Sequence, residues 1–272
     1  MEIVNEIIDN APLLLNKNIN GNSLFYSSQV CASGKNHLLS TICYFFYFIV
    51  IPLIFSIQPI KARINHFDSM LIVREKSYRM YWVKVFATNA LLTGCFYFLI
   101  QNVRILLIHF FYAPFKFNVK DYTLEYYYIF ENYLLNFIAF IVFSCLGQIL
   151  FSTLILAIGK YLKNYVIYLM MGFITGTCAM VIPACLGMFI MRKHSSIIPH
   201  IFCLNTLIIP GLHSLGAYAP NFNGGLAYCF SFIFYSILTF LLIAARMQLD
   251  KTEKLFKFSN TAKRVFLQQK KA

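Results

Sequence analysis

Histidine, cysteine and amide side chains lie close together between residues 194 and 213, and they are the first candidates for chemistry. His194, His200 and His213 are interspersed with Cys203 and Asn205. Imidazole and thiolate groups bind metals, and a histidine can activate a cysteine as a nucleophile. The eight cysteines, however, show neither a CxxC pair nor the Cys/His spacing of a zinc site. A histidine at an interface more often forms hydrogen bonds or caps a helix, so we expect no metal, no cofactor and no catalytic residue.

A phosphate-binding loop of the form G-x-x-x-x-G-K-[ST] does not occur in the sequence. Such a loop holds nucleotide phosphates with backbone N–H groups and a lysine. We therefore expect that the chain does not bind a nucleotide by this mechanism and that it is not an enzyme.

Polar side chains within the apolar part of the chain form a second group of candidates. Ser144, Gln148 and Ser152 recur every four residues, which places them on one face of a helix. Such a face favours hydrogen bonds between helices, and a substrate path is the alternative. Lys84 and Arg104 lie near the ends of another apolar stretch and are expected to extend toward lipid headgroups. If Arg104 instead faced the interior, it could contact a lipid phosphate.

A charged segment at 58–84 contains apolar residues at helical spacing, Ile60, Ile64, Phe67 and Leu71. This pattern predicts an amphipathic helix along the inner membrane surface. It could anchor the chain on anionic lipid, or it could be a coupling helix that docks a cytoplasmic partner. The residues that would mediate docking are charged: Lys61, Arg63, Asp68, Arg74, Glu75 and Lys76.

The composition indicates which elements position these residues. The 272 residues are 59% apolar and only 12% charged, so the bilayer is the expected solvent. The formal net charge is +13, but the basic residues occur in two blocks between apolar runs and not along one exposed face. Nucleic-acid binding is therefore not expected.

Apolar stretches of about 20 residues are long enough for a helix to cross the hydrocarbon core. Six apolar segments occur, of which five read as full spans: 38–57, 83–112, 133–158, 165–191 and 226–245. The sixth, 197–219, is interrupted by Pro199, Pro210 and Gly211 and predicts a re-entrant helical hairpin. The predicted fold is all-α, a multi-pass helical protein integral to the membrane.

Charge placement predicts the topology. The segment 58–84 and the tail 247–272 are basic, so both are expected in the cytoplasm. The number of crossings between them must then be even, which is why 197–219 should not cross. Arg192 and Lys193 then lie outside, against the rule, but the two long basic blocks outweigh them. The predicted division is a 1–37 external tail, a 38–246 transmembrane domain and a 247–272 cytoplasmic tail.

The order of these parts resembles the second to sixth spans of one half of an A-subfamily ABC transporter, a family that moves lipids. The similarity lies in 58–65 (QPIKARIN), in Tyr81-Trp82, in the fourth span through Gly172 and Gly176, and in 200–204 followed by 210–212. The resemblance implies a permease domain that moves lipid or another amphipathic substrate. It also implies three kinds of partner: membrane lipids, a second transmembrane half, and a nucleotide-binding domain that supplies ATP hydrolysis.

The sequence departs from that family because the nucleotide-binding domain expected after the last span, the first span and most of the extracellular domain are not in it. It is expected to be either a fragment of a longer transporter or a separate permease subunit. The alternative function is a multi-span membrane receptor or sensory protein. Five crossings are compatible with a transporter domain and with a receptor, although a seven-helix receptor would need two more spans.

Overall fold

The computed structural model describes residues 21–27, 46–65, 78–117, 129–130, 132–189, 201–210 and 224–269; side chains are described up to residue 250. These residues form helices, turns and short loops, and none of them is in a β-strand. A π-helical turn, Phe46–Val50, directly precedes α2. The α-helices are α1 (Gly21–Ser27), α2 (Ile51–Ile54), α3 (Ile57–Ile64), α4 (Tyr78–Phe111), α5 (Tyr133–Gly159), α6 (Tyr165–Phe189), α7 (Leu204–Ile208) and α8 (Gly224–Gln269).

The described part of the first predicted span, 38–57, begins at Phe46 and ends at a bend. The π-helical turn and α2 meet α3 at an angle of 60°. Pro52 lacks an N–H and cannot bond to the carbonyl of Phe48, four residues earlier, which favours the widened turn before it. After α2, the Ser56 hydroxyl lies 3.0 Å from the carbonyl oxygens of both Pro52 and Leu53. This side-chain bonding satisfies carbonyls at the bend.

Three described helices are long and apolar enough to cross a membrane: α4, α5 and the Gly224–Asp250 part of α8. The bent segment is a fourth if its two parts are counted as one span. Helix α6 has 25 residues, and its stretch Tyr165–Cys178 is apolar. The structure therefore confirms the all-α class and does not confirm the predicted count of five spans and a hairpin.

The helix bounds agree with the predicted spans to different degrees. Helix α5 begins at the predicted residue, Tyr133, and ends one residue after the predicted 158. The Asn132 side chain caps its start by accepting from the N–H groups of Leu134 and Leu135. Helix α4 begins at Tyr78, five residues before the predicted 83. Helix α8 continues past 245 through most of the predicted tail, because no glycine or proline follows Gly225 before Gln269.

Helix α5 lies at the centre and contacts α4, α6, α7, α8 and the bent segment. Close approach depends on glycines. A Cβ at Gly147 would lie 1.9 Å from the carbonyl oxygen of Leu207, so α7 packs directly on the backbone of α5. A Cβ at Gly172 would lie 2.7 Å from the Phe48 carbonyl oxygen, where α6 crosses the π-helical turn. Small residues at these crossings are typical of helix packing in lipid.

Within the predicted hairpin 197–219, the structure describes residues 201–210. Helix α7 lies in this part, and all five of its residues are buried. It packs against α5, α6 and α8. Cys203, just before α7, is also buried. His194, His200 and His213 lie outside the described residues, so whether this segment re-enters the membrane stays a prediction.

The bundle has two distinct ends. At one, α1 packs on the loop after α4, where the Gly21 N–H donates to the Pro114 carbonyl across 3.2 Å. At the other end, Arg63 of α3, Lys160 after α5 and Asp250 of α8 lie close together. We call the first the α1 end and the second the basic end. The basic end also carries the exposed side chains of Lys61 and Lys163.

Candidate functional site

A polar stripe runs along the interface between α4 and α5. On α4 it consists of buried side chains at intervals of four residues: Asn89, Thr93, Tyr97 and Gln101. On α5 it consists of the three residues that the sequence placed on one face, Ser144, Gln148 and Ser152, each with no exposed surface. Their i, i+4 spacing is sufficient to explain why they share a face.

Ser152 joins three elements. Its hydroxyl donates to the carbonyl of Pro52 across 3.1 Å and accepts from the Asn89 amide across 2.8 Å. The Thr93 hydroxyl lies 3.1 Å away and completes the set as a second donor. A hydroxyl can donate one hydrogen bond and accept two, so the hydrogen-bonding capacity of Ser152 is fully satisfied. It therefore links α4 and α5 to α2, just before the bend.

Gln148 repeats this link one turn away, because its amide donates to the Tyr47 carbonyl across 3.3 Å. Tyr97 is fully buried, and its hydroxyl lies beside the side chains of Ser144 and Gln101. The described contacts of Ser152 and Gln148 are thus hydrogen bonds between helices, and irregular backbone at the bend is satisfied by protein.

Arg104 lies at the α1-end side of this stripe, where the sequence predicts a side chain extended toward headgroups. Its guanidinium instead donates to the Tyr47 hydroxyl and lies 5.7 Å from the centre of the same ring. Arg104 is half-buried as a result. Lys84, for which the same extension is predicted, is exposed.

Within the predicted coupling segment 58–84, the structure describes 58–65, where α3 lies, and 78–84, which form the first turns of α4. Ile60 is fully buried, and a Cβ added at Gly159 would lie 3.0 Å from its side chain. Arg63 donates to the carbonyl of Gly159 across 3.1 Å, so it caps the end of α5. Lys61 is exposed. The other predicted docking residues, Asp68, Arg74, Glu75 and Lys76, lie outside the described residues.

A second cluster lies at the basic end, and we call it the Lys160 cluster: Tyr78, Trp82, Lys160, Arg246 and Asp250. The Lys160 side chain has no exposed surface. Its ammonium nitrogen lies 4.2 Å from the centre of the Trp82 ring and 5.4 Å from that of Tyr78. It is 4.0 Å from a carboxylate oxygen of Asp250. A fully buried lysine is uncommon in proteins, and here the cation is held mainly by aromatic faces.

Asp250 is the anion of this cluster. Arg246, one turn earlier on α8, contacts its other carboxylate oxygen at 2.9 Å, and the Tyr78 hydroxyl donates to Asp250 as well. Asp250 thus connects the start of α4, the end of α5 and α8.

Burial is the main cause that lowers the pKa of Lys160, to about 8. The positive charges of Arg63 and Arg246 act in the same direction, and the Asp250 carboxylate opposes them. The ammonium is therefore less favoured here than on an exposed lysine.

Sequence reasoning did not find the Lys160 cluster. Lys160 follows the predicted span 133–158 and Asp250 lies in the predicted tail 247–272, and the sequence pattern gives neither residue a role in a site. Two signals were present: the single tryptophan of the chain at Trp82, and Asp250, one of two acidic residues in a basic stretch. Neither signal shows that the ends of three distant helices meet.

Metal binding has no support in the described part of the chain, which holds no group of three or more His, Cys, Asp or Glu side chains that could bind an ion. The three histidines near residue 200 lie outside that part. Cys203 and Asn205 are both buried, at the start of α7.

Comparison with known proteins gives no assignment. No protein-family model matches the chain, and searches of curated proteins and of solved structures find no similar protein. The similarity to A-subfamily ABC transporters stays a prediction, and the functional argument depends on the contacts described above.

Proposed function

We propose that this chain is a multi-pass membrane protein that serves as the permease domain of an ATP-driven transporter. Its substrate would be lipid or another amphipathic molecule, and a partner domain would supply ATP hydrolysis. The observation that carries the proposal is the position of α3, a short amphipathic helix fixed against the basic end of the bundle.

The apolar surface of the long helices supports the membrane location. Large apolar side chains are exposed on the outside of α4 and α8. Contact of these side chains with water would be unfavourable, whereas contact with lipid would not. They are Leu91, Leu99, Phe110, Phe111, Ile233 and Phe240. Lysine and arginine side chains gather at the basic end, which the positive-inside rule assigns to the cytoplasm. Segment 58–84 and the end of α8 would then be cytoplasmic, and α1 would lie on the other side.

The contacts of α3 would transmit a force from a cytoplasmic partner to the spans. Its inner face is fixed by Ile60 against Gly159 and by the hydrogen bond from Arg63 to the end of α5. Its outer face presents the exposed side chains of Gln58, Lys61 and Asn65. A partner that moved α3 would therefore displace the end of α5.

The bend before α3 extends this path. Ser56 of the bend is hydrogen-bonded to Tyr168 of α6, and the Pro52 carbonyl accepts from Ser152 of α5. Ser152 in turn binds Asn89 of α4. A displacement at the basic end can thus reach α4, α5 and α6 through buried polar contacts, as a coupling element requires.

The test is ATP-dependent lipid movement in proteoliposomes that contain the assembly purified through a tag on this chain. Headgroup-labelled fluorescent phosphatidylcholine is the probe, and its exposure to a membrane-impermeant reductant is the readout. Lys61→Glu reverses an exposed charge on α3, and we expect it to abolish most of the ATP-dependent signal. Lys163→Glu makes the same change between α5 and α6 at the same end and should leave the signal near wild type.

Two results would contradict the proposal. One is equal loss in both variants, which would indicate a general effect of charge. The other is ATP-independent probe movement in the wild type. A tag after Lys271 that is accessible in intact cells, or a tag near Asn20 that is protected, would contradict the topology separately.

A further inference from the structure

Helix α4 carries polar side chains on the face that points away from the bundle as well as on the face that packs against α5. We call them the outer row: Thr88, Cys95, Asn102 and His109, which recur at intervals of seven residues. Thr88, Cys95 and His109 are exposed, and Asn102 is half-buried. The buried Tyr97 follows Thr88 by about two and a half helical turns, so the outer row lies opposite the face that contacts α5.

The lipid-facing surfaces of the two neighbouring spans differ from the outer row. The exposed side chains of α5 between its first and last residues are all apolar, and those of α8 up to Leu241 are apolar or cysteine. A polar group that faces hydrocarbon without a hydrogen-bond partner is unfavourable. Polar side chains on membrane helices are therefore typical of surfaces where a second helix packs and supplies that partner.

Asn102 has the largest unused hydrogen-bonding capacity in the outer row. Its amide nitrogen donates to the Phe98 carbonyl of its own helix across 2.7 Å. Among the described residues, none donates to its Oδ1 atom, and the Thr88 hydroxyl forms no hydrogen bond. Asn102 lies about 14 Å along the helix axis from Phe111, where α4 ends, so its amide is inside the span and not at its end.

From this pattern we infer that the outer row is the contact surface between two copies of this chain, which pack in parallel about a twofold axis along the membrane normal. Copies that insert in the same orientation form a symmetric pair in which each residue of the row meets its own counterpart. An asparagine amide has both donors and an acceptor, so it is complementary to a second asparagine amide. A threonine hydroxyl is complementary to itself in the same way.

The spacing supports a pair of helices independently of the hydrogen bonds. A repeat of seven residues is the period at which two helices stay in contact along a left-handed supercoil. A single asparagine in such a contact fixes the register of the two helices and favours a dimer. An unrelated partner helix would not need a self-complementary side chain at each repeat. The inference is independent of transport and requires only that the chain crosses a bilayer.

Cys95 provides a direct test, because it is an exposed free thiol within the outer row and would lie next to Cys95 of the second copy. We would treat membranes of cells that express the full chain with a short bis-maleimide and look for a covalent dimer on a denaturing gel. Cys229 is the matched control, since it is an exposed free thiol on α8. Wild type and Cys229→Ser should give the dimer, and Cys95→Ser should give none.

The role of Asn102 is tested by energy transfer between donor-labelled and acceptor-labelled chains in phosphatidylcholine proteoliposomes. Asn102→Leu removes only a hydrogen bond within its own helix from the single chain, so the fold should persist. The protein-to-lipid ratio at half-maximal transfer should rise at least about fivefold in this variant. Asn102→Gln keeps the donors and the acceptor, and its ratio should stay within about twofold of wild type.

Three outcomes overturn the inference. A dimer that persists in Cys95→Ser and disappears in Cys229→Ser would place the contact on α8. Equal ratios for wild type and Asn102→Leu would show that the amide does not hold the pair together. Absence of energy transfer in the wild type at every ratio would mean that the outer row faces lipid or a different protein.

Discussion

The guanidinium of Arg63 lies 3.1 Å from the carbonyl oxygen of Gly159 and caps the last turn of α5 with a side chain from α3. The final carbonyls of a helix have no intrahelical partner and carry partial negative charge. A cation that donates to one of these carbonyls supplies the missing hydrogen bond and also balances the partial negative charge. The contact joins a surface helix to the most central helix of the bundle.

Replacing this arginine should therefore affect stability. Arg63→Met keeps much of the apolar stem and removes the hydrogen bond, and we expect a loss of about 1–2 kcal/mol in the free energy of unfolding. Unfolding of the purified chain by SDS titration measures it. Lys61→Met on the exposed face of α3 is the matched control and should change stability by less than about 0.5 kcal/mol. An equal loss in both would mean that the cap contributes nothing.

The Gly147 crossing should tolerate no side chain. In Gly147→Ala the new methyl group would meet the Leu207 carbonyl at 1.9 Å, and backbone on both sides must move. We expect a loss of at least about 3 kcal/mol or failure to accumulate in the membrane. In Gly94→Ala the methyl group would meet only the end of the Ile149 side chain, which can rotate away. That variant should lose less than about 1.5 kcal/mol, and a ranking in the opposite order would refute the packing of α7 on α5.

The hydrogen bonds of Ser152 predict a difference between neighbouring hydroxyls. Ser152→Ala removes the partner of Asn89 and Thr93 and one donor to Pro52, and it should cost about 1–2 kcal/mol. Thr153 donates only to the Leu150 carbonyl of its own helix, so Thr153→Val should cost less than about 0.5 kcal/mol. Similar values for the two, from the same SDS titration, would argue against a special role for the stripe.

The lowered pKa of Lys160 predicts a rise of stability with pH. The folded chain releases this proton near pH 8, and the unfolded chain holds it up to the ordinary value of 10.5. Between these values the unfolded chain binds more protons, so the free energy of unfolding should increase with pH, by about 1–2 kcal/mol for this group. Below pH 8 both states are charged and the group adds no slope.

The matched measurement is the same pH series on Lys160→Met, in which the rise between pH 8 and 10 should be smaller by that amount. At pH 7 this variant should be at least as stable as wild type, because Asp250 keeps Arg246 and a buried charge is removed. A strong loss of stability at pH 7 would show that the cation is favoured in its site, contrary to the lowered pKa.

Local patterns in the sequence predicted some features well, and the reasons are physical. The bounds of α5 follow from a long apolar run between Asn132, a good capping residue, and Gly159. The shared face of Ser144, Gln148 and Ser152 follows from helical periodicity alone. The π-helical turn before Pro52 was not predicted, because apolar content sets the length of a span and not the hydrogen bonding of each turn.

The Lys160 cluster could not be predicted in the same way. Tyr78, Lys160 and Asp250 come from three helices, and only the packing of the whole bundle brings them together. The sequence suggested that Lys84 and Arg104, near the ends of one span, would extend toward headgroups. Lys160 is enclosed by aromatic rings and Arg104 contacts a tyrosine, which shows that an available π-face or hydroxyl can hold a cation inward.

The length of α8 has a mechanical consequence. Its 46 residues make a rod about 69 Å long at about 1.5 Å per residue, against a hydrocarbon core of about 30 Å. Much of the rod must therefore extend beyond one face of a bilayer. Such a rod is a lever: a tilt of about 5° at Gly224 would carry Gln269 through about 6 Å. A small rearrangement among the spans would therefore cause a larger displacement at the far end of α8. In the same way, a force applied at that end would exert a torque on the helices of the bundle.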